Sequence, residues 1–311
     1  MRVSANTFSD TLITQLSNLS VRQQRLQSQA ATGQRVRLPE DDPVALRRVL
    51  DLQSEFSSTG QYTQNIARHL ELAQASYNGI KALKNVSDRA GENAVQVDDL
   101  RSPQELQAFA KEVVEMIKQA VHLVNATNRG DAIFGGTATN QPPYAMTLDA
   151  NGNVTAVTYQ GNLSQAESEI AEGVMITTQV VGENNTGNGP RGLVTDSRSG
   201  ADLLNHLISL QNNLLSGNTA AIAATDRGNL ARDEENLLYH ISSNGAIQSR
   251  LEATQSMNQE RGIAIESQVS KEVDADLAQT LVKLSQTQTA YEAALQSGAK
   301  ALNLSLLDYL R

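Results

Sequence analysis

The chain has 311 residues, no Cys, no Trp, 4% aromatic residues and a formal net charge of −9. It can form no disulfide and use no thiol. Its acidic balance and lack of a long basic stripe argue against general nucleic-acid binding, which needs concentrated Lys and Arg to neutralise phosphates. No apolar run reaches membrane-spanning length, and Met1–Thr7 contains no apolar signal-peptide core. The expectation is a cytoplasmic chain, or one exported by a route that reads no cleaved signal.

A first helix is expected from Asn6, because Ala5, Leu12, Leu19 and Leu26 recur every seven residues and Phe8 and Leu16 widen the stripe. Gly33 ends it. Arg35–Asp41 then links it to a helix that starts with Asp42 as cap and Pro43 at the first position. Glu40, Asp41 and Asp42 read as capping and solvated groups rather than metal ligands, since no further ligands are spaced around them. The second helix runs to about Val97, loosened near Ser57–Gly60, with Ile66, Leu70, Ala73, Tyr77 and Ile80 alternating by four and three. Ser102, Pro103 and Glu105 form a capping box for a third helix. Its apolar side is Leu106, Phe109, Val113, Ile117 and Val124, and it ends near Asn128–Gly130.

Between Asp131 and Asp196 Gly, Pro, Asn and Thr become dense, and strand-like runs appear at Asn153–Tyr159 and Val174–Val181. Asp149–Asn153 is a hairpin signal. Gly182–Gly189 reads as a surface loop, because it lacks the Gly-Lys-Ser/Thr and following helix of a phosphate cradle. Helical spacing returns at Ala201, pauses at Gly217, and resumes from about Thr225 in a helix that runs almost without a breaker into the C-terminus.

Val269–Arg311 is expected to be one long helix with a coiled-coil seam. Leu277, Leu281, Leu284, Gln288, Tyr291, Leu295, Gly298, Leu302, Ser305 and Tyr309 follow at alternating spacings of four and three. Burying each leucine is worth roughly 1.5–3 kcal/mol, so the seam requires a partner helix. The polar or small layers at Gln288, Gly298 and Ser305 weaken it relative to an all-leucine zipper.

The reading is of a mainly α protein. A long antiparallel helical rod formed by the N- and C-terminal halves carries a small β-rich domain inserted in the middle. The expected divisions are 1–40 and 269–311 for a terminal, inner domain, 41–130 and 199–268 for the two halves of the rod, and 131–198 for an outward-facing insertion. If the ends pair antiparallel, Leu26 lies near Leu281–Leu284. The basic Arg22, Arg25, Arg35 and Arg37 then approach the acidic Glu272, Asp274 and Asp276, setting the register. No catalytic, cofactor-binding or metal site is expected. His69, His122, His206 and His240 are far apart with no second ligand one helical turn away, and Asp274 and Asp276 fall on different helix faces.

The ends carry more than periodicity. Leu26-x-Ser28-x-x-x-Thr32-Gly33-x-Arg35-Val36-x-x-Pro39-x-Asp41-Asp42-Pro43 resembles the N-terminal signature of the flagellin superfamily. Val273–Ala278, Gln286-Thr287-Gln288-x-x-Tyr291-x-Ala293-Ala294-Leu295 and Asn244-Gly245-Ala246-Ile247-x-x-Arg250-Leu251 resemble its C-terminal signature. Within the superfamily, Leu304–Leu310, Ile133–Thr137, Pro143-Tyr144 and Tyr159-x-Gly161 are most like the hook-filament junction branch, the hook-associated proteins of the L type. After Gly182 the chain departs from that pattern, with Glu183-Asn184-Asn185 where an apolar pair is expected.

The resemblance implies a structural subunit of the bacterial flagellum that joins hook to filament and assembles through its terminal helices. Its partners would be its own copies in a ring, adjacent hook-associated protein and flagellin subunits, and an export chaperone on the C-terminal helix. It would be exported by the flagellar type III apparatus to the cell exterior, with no cofactor, nucleic-acid or membrane partner. The alternatives are a flagellin filament subunit and a cytoplasmic coiled-coil scaffold.

Overall fold

A computed structural model describes residues 2–309 of the chain, and side chains over 10–300. The helices are α1 (Arg2–Thr32), α2 (Pro43–Gln96), α3 (Pro103–Val124), α4 (Leu203–Ser216), the single turn α5 (Thr219–Ala221), α6 (Arg227–Val273) and α7 (Leu277–Tyr309). The strands are β1 (Thr127–Asn128), β2 (Asp131–Ala132), β3 (Tyr144–Leu148), β4 (Val154–Tyr159), β5 (Ser168–Ala171), β6 (Val174–Ile176), β7 (Val181–Asn184), β8 (Gly192–Asp196) and β9 (Ala201–Asp202). The protein is thus mainly α with a β-rich region in the middle of the chain. It divides into two compact units, one of residues 1–58 and 260–311, the other of residues 59–259.

In the second unit, helices and strands share a large core, and Ile66, Ile170, Ile176 and Leu251 form a smaller one. Ile80, Leu83, Ile117, Phe134, Tyr144, Val154, Leu193, Leu207, Leu210 and Leu237 all belong to the large core. Helix α3 forms as its sequence dictates: Ser102 Oγ accepts from the Glu105 amide at 3.3 Å, the Glu105 carboxylate accepts from the Ser102 amide at 2.8 Å, and Val113, Ile117 and Val124 turn inward. Helix α2 runs unbroken through Ser57–Gly60, where loosening was expected, because the Ser57 and Ser58 hydroxyls bond carbonyls one turn back and leave the helical ladder intact.

The strands form four small sheets rather than one. β3 and β4 make the hairpin expected at Asp149–Asn153, where the Asp149 carboxylate accepts from the Asn151 and Asn153 amides at 2.8 Å each. β7 pairs parallel with β8, and β8 antiparallel with β9. Gly182–Asn184 is therefore strand, not the surface loop its composition suggested. The Asn184 side chain is buried and donates to the Asn188 and Pro190 carbonyls at 2.6 Å, so a polar residue replaces apolar packing there.

A polar ladder on α6 faces this region. Asp233 accepts from the Asp202 amide and pairs with His206 at 2.8 Å. Asn236 donates to the Gly192 and Leu193 carbonyls, and His240 bonds the Gly192 carbonyl at 3.0 Å. The Asp226 carboxylate, in the wide π-turn Ile222–Asp226, accepts from Ser209 and Asn213. Every buried polar group in this row thus has a partner, as burial requires.

Candidate assembly interface

In the first unit, α1 and α7 pack along each other. Gly33 ends α1 with φ +73, a left-handed cap that glycine adopts without steric cost. The chain then pairs with the α6–α7 connection: the Gly33 carbonyl accepts from the Ala275 amide at 2.8 Å, and the Val273 carbonyl accepts from the Arg35 and Val36 amides at 2.6 and 3.3 Å. Asp42 accepts from the Ala45 amide at 3.0 Å and starts α2 with Pro43 behind it. The Asp41 carboxylate accepts from the Leu38 and Arg37 amides at 3.0 and 3.1 Å, and these bonds hold its pKa below the ordinary value.

The C-terminal helix is not continuous from Val269. α6 stops at Val273 and α7 starts at Leu277. Asp276 accounts for the restart, since its carboxylate accepts from the Gln279 amide at 3.0 Å and its carbonyl from the Thr280 amide at 2.8 Å. Spacing alone hid the break, because the three intervening residues preserve the apolar rhythm.

On α1, Leu12, Leu16 and Leu19 are half-buried and Leu26 is buried. On α7 the covered row is Thr280, Leu284, Thr287, Tyr291, Ala294 and Gly298. Leu284, Tyr291 and Gly298 of the expected seam face inward. Leu277, Leu281 and Leu295 do not: they are 49%, 55% and 46% exposed, and Gln288 is exposed beside them. The expected row mixes two stripes lying about 60–80° apart around the helix, at roughly 100° per residue.

Small and hydroxyl residues (Thr280, Thr287, Ala294, Gly298) share the covered face of α7 with Leu284 and Tyr291, and Gly298 lies against the end of the Leu12 side chain. The side chains of Ala5, Phe8, Leu302, Ser305 and Tyr309 lie outside the described ones.

The expected charge register takes a different form. Arg25 pairs with Asp41 at 3.0 Å, Arg35 pairs with Asp42 at 3.3 Å, and Arg35 Nη2 donates to the Glu272 carbonyl at 2.7 Å. The Glu272 carboxylate meets Arg48 instead, at 3.2 Å. Asp274 accepts from the Ser270 hydroxyl and Asp276 caps α7. Among the described residues Arg22 and Arg37 enter no ion pair. Backbone pairing at Gly33–Val36, which side-chain charge patterns do not report, closes the hairpin.

No group of three His, Cys, Asp or Glu is placed to hold a metal ion among the described residues, and no described helix is long and apolar enough to cross a membrane. The histidines His69, His206 and His240 bond Thr178, Asp233 and the Gly192 carbonyl, all inside the second unit.

The two chain ends fold back on each other, and the middle of the sequence forms a core of its own. A family profile described as the bacterial flagellin N-terminal helical region matches residues 3–139. The chain is also similar to flagellar hook-associated proteins. Flagellar hook-associated protein 3 of Salmonella typhimurium is 23% identical over 324 residues, spanning 100% of both chains, and that of Escherichia coli is 24% identical over 90% of each. Among solved structures, a putative flagellar hook-associated protein from Vibrio parahaemolyticus superposes with a TM-score of 0.63 at 18% identity, covering 75% of this chain and 100% of its own. FlgL of Bacillus cereus does so with a TM-score of 0.54 at 17% identity, covering 71% and 99%. The chain is therefore similar end to end to flagellar hook-associated proteins, and its fold is theirs.

Proposed function

We propose that the protein is a structural subunit of the bacterial flagellum that joins hook to filament. The observation carrying this reading is the pairing of the first and last helices in a chain whose end-to-end relatives are hook-associated proteins. Such a subunit needs surfaces rather than chemistry, and it acts without catalysis or a cofactor. Leu12, Leu19, Leu26, Leu284 and Tyr291, with Leu302 and Tyr309 further along, form the inner layer of the assembly. Leu277, Leu281 and Leu295 remain for neighbours.

On this reading copies form a ring between an adjacent hook-associated protein and flagellin. The chain leaves the cell through the flagellar export apparatus with no cleaved signal, and a chaperone covers α7 beforehand. Residues 131–198 face outward, 1–40 with 269–311 line the inside, and 41–130 with 199–268 form the rod.

Deleting the gene tests the reading. The expected outcome is intact hooks with flagellin released into the medium. Filaments persisting on the deletion strain would refute the junction role, and filament loss with no flagellin shed would instead identify a filament subunit.

A further inference from the structure

A cleft of about 130 Å³ lies against α6 in the second unit, with no carboxylate among its lining residues. In a chain of net charge −9 that setting is unusual. The clefts beside Glu71 and Asp131, beside Asp88, Glu92 and Glu234, and beside Asp99 all carry acids. One wall is a single helix face, Tyr239, His240, Ser243, Asn244 and Ile247, spaced three and four residues apart. Another is the chain from Thr177 to Val181, which two side chains clamp: Gln165 donates to the Gln179 carbonyl at 2.5 Å, and the Gln179 side chain accepts from the Ala166 amide at 2.6 Å. Pro190 and Arg191 complete the lining.

Two donors in this cleft are held in place and unspent. Arg191 Nε donates to Asn236 Oδ1 at 2.7 Å, and the guanidinium lies 4.2 Å from the centre of the Tyr239 ring, which fixes the side chain. Its terminal nitrogens, Nη1 and Nη2, have no hydrogen-bond or ion-pair partner among the described residues. Asn244 is 4% exposed, and its Oδ1 accepts from Gln248 Nε2 at 2.6 Å, while its own Nδ2 meets no acceptor among the described residues. A buried amide left in that state costs free energy that a ligand would recover. Burial holds the His240 pKa down to about 4, so that ring is neutral and Arg191 supplies the charge of the cleft.

We propose that the cleft binds a small organic monocarboxylate, its oxygens on Arg191 and Asn244 and its apolar stem against Val181, Pro190 and Ile247. The flat guanidinium edge matches a flat carboxylate, and such charge-assisted bonds are roughly twice as strong as neutral ones. Each water needs about 10–15 Å³ of space of this kind, so the cleft has room for an acid of several heavy atoms. A few placed polar groups on an apolar lining is the usual make-up of a small-molecule site. The proposal is independent of the assembly reading, since every lining residue lies within 59–259 of one copy.

The test uses the purified full-length chain and 4-fluorobenzoate, whose ¹⁹F resonance reports binding directly. The expected result is saturable broadening that excess butyrate reverses. Arg191→Gln and Asn244→Asp should each weaken binding about ten-fold or more, with helical content and melting temperature retained, and Arg191→Lys should fall between. Asn244→Asp keeps the acceptor for Gln248 while placing a negative charge in the cleft, so it decides the matter if Arg191→Gln folds poorly. Arg232→Gln, on the same helix outside the cleft, should bind as the native chain does. No saturable broadening with the native chain overturns the proposal. So does equal binding by folded Arg191→Gln or Asn244→Asp, or displacement by inorganic phosphate with none by butyrate, which would assign the cleft to a different anion.

Discussion

The two units bury their side chains in opposite ways. Residues 59–259 hold Phe134, Ile80, Ile117, Leu193, Leu207 and Leu210 away from water and thread a satisfied polar ladder through α6. In the other unit the buried apolar side chains among those described are Leu26, Val36, Ala45, Val49 and Ile265, while Ile13, Val21, Leu277, Leu281 and Leu295 stand in solvent. The first arrangement closes an apolar core, with Leu100 and Met257 of that unit left in water. The second leaves a larger share of its apolar side chains exposed, surface whose burial against another copy would stabilise it. One chain thus carries a finished core and an unfinished one.

The largest effect that separates them is a core truncation. Leu207→Ala removes a fully buried side chain from the second unit and is expected to destabilise it by about 2–5 kcal/mol. Limited proteolysis and thermal melting followed with a probe in each unit should show the loss there. Equal loss in both units would mean that they unfold as one and would dissolve the comparison.

Acid gives the next effect. Burial holds the His240 pKa down to about 4, its Gly192 bond notwithstanding. The unfolded chain therefore takes up a proton first, near pH 6.5, and stability present above that pH is lost as pH falls toward 4. The loss from His240 is on the order of 3 kcal/mol. All four histidines lie within 59–259, so the terminal unit contains none. His206 does not blur this window: burial pulls its pKa down, the Asp233 carboxylate more than offsets that, and its contribution is complete below about pH 6.5. His240→Gln keeps a hydrogen-bond donor and should flatten the slope of urea midpoints between pH 6.5 and 4. The difference between the two profiles separates His240 from Asp233, whose carboxyl burial pushes up and whose contribution runs the other way. Parallel profiles would show that His240 is not the group responsible.

The smallest effect comes from one substitution made in both places. A Cβ on Gly182 would meet Tyr144 Oη at 2.6 Å, the Tyr159 ring at 2.7 Å and the Phe134 carbonyl at 2.9 Å, a wall that includes backbone. Gly182→Ala should cost about 1–3 kcal/mol. At Gly298 the nearest atom is the free end of Leu12, which can turn away. Ala also favours the helix by up to about 1 kcal/mol, so Gly298→Ala should leave melting within about 1 kcal/mol of the native chain. A large loss at Gly298 would mark the terminal hairpin as tightly packed, contrary to the contrast drawn.

Sequence patterns were reliable where local chemistry decides the outcome. The capping box at Ser102–Glu105, the Asp42-Pro43 start and the Asp149–Asn153 turn each place donors and acceptors a few residues apart, and each forms. Long-range outcomes were less legible. The parallel pairing of β7 with β8, and the burial of Asn184, depend on partners brought from elsewhere by the fold. At the interface a heptad pattern identified which helices pair but not the phase of α7, because leucine spacing does not report which small and hydroxyl residues share the covered face. Charge sums do not report the contacts at that end of the hairpin, which are backbone bonds, and Glu272 meets Arg48 rather than the arginines of α1.

The stop at Val273 and restart at Leu277 have a mechanical consequence. A continuous helix is a torsion rod, so any rotation or change in residue number along α6 would be carried undiminished to the C-terminus. Three non-helical residues, held by Gly33–Val36, act as a clutch between the two. The azimuth of α7 is set locally by that clamp and by the Asp276 cap, so a twist in α6 is not carried rigidly into α7.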